Sequence, residues 1–88
     1  MEAEEAEKRI REIEEDLRFC EQLLQKEARM ELVKVMLEDL MKEVKSIMEA
    51  GLPEGLRERV SDMEFKIRVL YHRANALLSL QEESRNSF

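Results

Sequence analysis

The chain has 88 residues, 41% of them charged and 5% aromatic, with a net charge of −6 at pH 7. That size bounds it to one small domain, and a balance rich in Glu, Lys, Leu, Arg and Met is that of long helices and coiled coils. Residues 1–24 carry nine acids against four bases, an acidic face that argues against nucleic acid and anionic membrane surfaces as partners.

Cys20 is the sole cysteine, so the chain forms no internal disulfide and assembles no cysteine zinc cluster. The opening "MEAEEAEKRI" lacks the basic start and apolar run of a signal peptide. No apolar stretch nears the roughly 20 residues that span a bilayer. These features describe a soluble, intracellular protein, with the cytoplasm as the expected location.

In the first segment, apolar residues recur at Ala3, Ala6, Ile10, Ile13, Leu17, Cys20 and Leu24. Steps alternating between three and four trace a coiled-coil seam. The pairs Glu4–Lys8, Glu5–Arg9, Glu7–Arg11 and Glu14–Arg18 stand at i,i+4 with the acid first, each worth about 0.2–0.5 kcal/mol to a helix.

A second seam follows at Val33, Leu37, Leu40, Val44 and Ile47, flanked by Met36, Met41 and Met48. On one continuous helix, at about 100° per residue, the two seams fall on nearly opposite faces. Between them "QKEARME" holds no Gly, Pro, Asn, Asp or Ser, and nearly every residue in it is a strong helix former. Local chemistry therefore predicts one helix over about 2–50. A break near 25–31 is the alternative, and it would give three helices of nearly matched length.

"AGLPEG" holds both glycines and the only proline. Gly51 suits a left-handed C′ position, with Leu52 placed to touch Ile47 as in a Schellman motif. Pro53 suits the first position of a following helix, and Gly55 weakens that helix one turn in. Residues 51–53 read as a tight reversal.

The helix expected over about 54–82 has one seam at Leu56, Val60, Met63, Ile67, Leu70, Ala74 and Leu77. A second stripe, Phe65, Val69, His72, Ala76 and Leu80, lies roughly 160° away. Residues 83–88 lose the periodicity and read as a frayed tail. The predicted fold is all-α: an antiparallel helical hairpin or coiled coil with a long N-terminal helix, forming a single domain over 1–82. A compact three-helix bundle is the alternative.

Chemistry-bearing residues are sparse. Cys20 sits in a seam, where a free cysteine behaves as a small hydrophobe. His72 reads as a boundary residue, since no second His or Cys stands at i±3 or i±4 to share a metal. The methionines read as core fillers. No Ser/His/Asp set, phosphate loop or pair of acids in a cleft is visible. The sequence therefore points to a non-enzymatic protein with no cofactor, metal or small-molecule ligand.

Its expected role is a helical interaction or assembly module, associating with itself, as a homodimer, or with another helical chain. The candidate interface is Ile10, Ile13, Leu17 and Leu24 together with Phe65, Val69, Ala76 and Leu80. A monomeric three-helix bundle acting as an adaptor for a peptide or regulatory domain is the alternative.

Overall fold

A computed structural model describes residues 1–86. The protein is all-α and consists of α1 (Ala3–Gln25), α2 (Met30–Ala50) and α3 (Glu54–Asn86). It measures 55 × 19 × 16 Å, the long axis matching the roughly 50 Å that 33 helical residues span.

The uninterrupted helix over 2–50 is not formed: the chain leaves the helix after Gln25 and re-enters at Met30. Packing overrides local propensity here. With the seams of α1 and α2 on opposite faces, a straight helix could not bury both against a single α3. Four connecting residues reverse the chain and turn both seams toward one core.

The break is a Schellman motif built without glycine. Glu27 takes the left-handed conformation at φ 52°. Its amide donates to the Leu24 carbonyl at 3.1 Å, and the Ala28 amide donates to that of Leu23 at 3.0 Å. Arg29, also left-handed at φ 54°, accepts from the Val33 amide at 3.0 Å and starts α2.

The reversal at 51–53 forms where expected, with two differences in detail. Gly51 has the positive φ that favours glycine (84°), but its ψ of 125° lies outside the left-handed helical region. A single bond from its amide to Met48 closes α2 in place of a Schellman pair. Pro53 stands just before α3 rather than at its first position, its carbonyl accepting from the Leu56 amide at 2.9 Å.

One apolar core runs through all three helices. Ile10, Ile13, Leu17, Cys20 and Leu24 of α1 meet Val33, Leu37, Leu40, Val44 and Ile47 of α2, and Val60, Met63, Ile67, Leu70 and Ala74 of α3. Each fully buried Ile or Leu contributes about 1.5–3 kcal/mol. Met30 and Met63 are buried, and Met36, Met41 and Met48 pack partly buried against the core as gap fillers. Among the described residues no polar or charged residue is buried.

Arg59 pairs with Glu14 and Lys66 with Glu21, each at 2.5 Å. The second pair lies seven residues beyond the first on both helices, so α1 and α3 run parallel, with α2 antiparallel between them in sequence. The register leaves the last turns of α3 projecting past the neighbouring helices. That segment is helical through Asn86, so the expected fraying from 83 onward is not seen as far as 86. Residues 87 and 88 of that tail lie outside the described residues.

Candidate interaction surface

The eight residues of the candidate interface divide into two groups. Ile10, Ile13, Leu17 and Leu24 lie inside the core of their own chain, so no second copy is needed to cover them. This corrects the expectation that they present a surface. They were misplaced because an unbroken α1–α2 helix would have left their seam uncovered.

Phe65, Val69, Ala76 and Leu80 lie on the outward face of α3. Phe65 is 71% exposed, Val69 49% and Leu80 59%, and Ala76 and His72 are exposed beside them. Folding back of α1 does not cover this stripe. Instead α1 shares with α2 the other face of α3, the one bearing Val60, Ile67 and Ala74, because three helices bury their seams together only around one axis. Phe19 and Val35 are exposed singly on α1 and α2, which is ordinary surface. Among the described residues, only those of α3 present exposed apolar side chains along one face.

Between the acids Asp62 and Glu64 at one end of this stripe and Glu82 at the other, the charges are one-sided. Residues 65–81 contain Lys66, Arg68, His72 and Arg73 but no Asp or Glu, in a chain with 21 acids. Lys66 is held by Glu21 of α1, and Arg68 donates to Glu64 at 2.6 Å within α3. Arg73 has no carboxylate partner among the described residues.

Beside the stripe, α2 and α3 enclose a shallow trough of about 320 Å³. Met41 and Tyr71 help to form its floor, and Lys42, Lys45, Arg68 and His72 stand around it, with Glu38 the one carboxylate. The His72 ring meets the Tyr71 ring edge-on at 6.4 Å. Sequence reasoning missed this trough. The signals for it were the acid-free run 65–81 and Tyr71, one helical turn after the core residue Ile67.

A second trough of about 290 Å³ lies between α1 and α3 and includes Glu14 and Arg59, whose ion pair spans its two walls. Cys20 is completely buried, and burial first, then the charges of Asp16 and Glu21, push its thiol up to about 11. No group of three or more His, Cys, Asp or Glu suited to a metal occurs among the described residues. No described helix is long and apolar enough to cross a membrane. Compared with protein-family models, curated proteins and solved structures, the chain matches none.

Proposed function

We propose that this protein is a non-catalytic adaptor, a self-contained three-helix bundle that receives a partner protein's helix on the outward face of α3. The observation that carries this reading is the exposure of Phe65, Val69 and Leu80 in a row on a bundle whose core is already closed. Contiguous exposed apolar residues are costly to solubility and mark interfaces more often than not. A rigid helix offering residues at i, i+4 and further turns suits the packing of a second helix.

The test is a fluorescence-anisotropy titration with a synthetic amphipathic helix of about five turns, carrying Leu on one face and Gln along both flanks. Saturable binding below about 500 µM, lost in Val69→Glu, supports the reading. Absence of saturable binding, or binding that survives Val69→Glu, overturns it.

A further inference from the structure

We infer that the partner helix is acid-flanked: an amphipathic segment of another protein with Asp or Glu along the edges of its apolar stripe, lying on α3 with one edge over the α2–α3 trough. This rests on the docking reading above and names the chemistry of its occupant.

The charge map makes the choice. From Phe65 to Gln81 α3 carries Lys66, Arg68 and Arg73 and no carboxylate, its acids Asp62 and Glu64 standing just before the stripe with Glu64 paired to Arg68. Arg68 and His72 stand along one edge of the stripe and Arg73 along the other. On the Arg68 edge the trough adds Lys42 and Lys45, both exposed and without a carboxylate partner among the described residues. Carboxylates along a docked helix would meet Arg68, Arg73, Lys42 and Lys45, while its apolar stripe covers Phe65 and Val69.

The rest of the molecule strengthens the selection. With a net charge of −6, the protein as a whole disfavours an acidic partner, so local cations that attract one also help to fix where it lands. A second copy is the poorer occupant. Two α3 stripes pairing antiparallel about their middle bring Arg73 against its own duplicate, and pairing parallel in register they bring the Arg73 edge against the Arg68 edge. Like charges placed in that way disfavour the pairing.

The experiment compares three peptides with identical Leu positions and Glu, Gln or Lys flanks, in low salt, on the wild type and on Lys42→Glu/Lys45→Glu. Both lysines are exposed, so the variant keeps its fold, which circular dichroism verifies. The wild type is expected to bind the Glu-flanked peptide about tenfold tighter than the Gln-flanked one, a gain that shrinks as salt rises. In the variant the preference falls or inverts.

Equal binding of the Glu and Gln peptides, or a preference untouched by the double substitution, overturns this inference and leaves the docking reading standing. If the Gln-flanked peptide does not bind at all, both fall. Affinity that weakens as protein concentration rises, through self-pairing at the same face, assigns the surface to a second copy and overturns the inference. So does co-sedimentation with phosphatidylserine vesicles that is lost in the variant while no peptide binds, which assigns it to a membrane.

Discussion

The amide of Ala28 donates to the carbonyl of Leu23 at 3.0 Å, and that bond turns what would be one rod into a bundle. It forms only because Glu27 adopts the left-handed conformation. A side chain in that region costs about 1–2 kcal/mol, so the turn is held by the core that it allows to close.

Glu27→Gly should therefore stabilise the protein. Relief of the left-handed strain outweighs the extra entropy that glycine loses on folding, roughly 0.5–1 kcal/mol, for a net gain of about 0.5–1 kcal/mol. Urea titration measures it; an unchanged or lower midpoint would show that Glu27 is not strained.

The two glycines should answer to alanine with opposite signs. Gly51 has a φ of 84°, a conformation that a side chain rarely adopts, so Gly51→Ala should cost about 1 kcal/mol or more. Gly55 lies in the first turn of α3, with open space where a Cβ would stand. Gly55→Ala should gain about 0.5–1 kcal/mol from helix propensity alone. Thermal melts of the two variants, run side by side, check the pair.

Burial and surface should separate just as sharply along the two apolar sets. Leu17 is 3% exposed among core residues, and Leu17→Glu places an unpaired charge there, enough to unfold a domain of this size. Phe65→Ser and Val69→Ser, on the outward face, should change stability by less than about 0.5 kcal/mol. Loss of helicity in the serine variants would mean that the α3 stripe is packed in solution.

Cys20 should be inert in the native state. Its thiol is held protonated up to about 11 from an ordinary 9.0, and the thiolate is the reactive form. At pH 8 a thiol reagent should label it only as fast as the bundle opens, with rapid labelling in denaturant. The linkage has a definite sign: with the native value raised, the contribution to stability is complete below about 9 and is lost as pH rises from there through about 11. Cys20→Ala should flatten that alkaline decline.

Much of the fold was legible from residue spacing. Seams at alternating steps of three and four named the core positions Ile10 to Leu24, Val33 to Ile47 and Val60 to Ala74, and Gly51 and Pro53 placed the second turn to within a residue. The first turn was not legible locally, because its left-handed residues are Glu27 and Arg29, types that signal helix elsewhere. The clue was non-local: two stripes on opposite faces of a single rod cannot share one partner helix. The Phe65 to Leu80 stripe was visible as a second face of α3. Which face α1 would cover depended on three-helix packing, and the α2–α3 trough depended on side chains from two helices that sequence alone does not set side by side.

Mass in solution is the most direct check that one chain closes its own core with α1 folded back. Sedimentation equilibrium between about 1 and 500 µM should return the 10.5 kDa of a single chain, with a melting midpoint independent of concentration. A species of twice that mass persisting at the lowest concentration, with a midpoint that climbs with concentration, would contradict it. The α1 seam would then be covering a second chain, and the bundle described here would be shared between two.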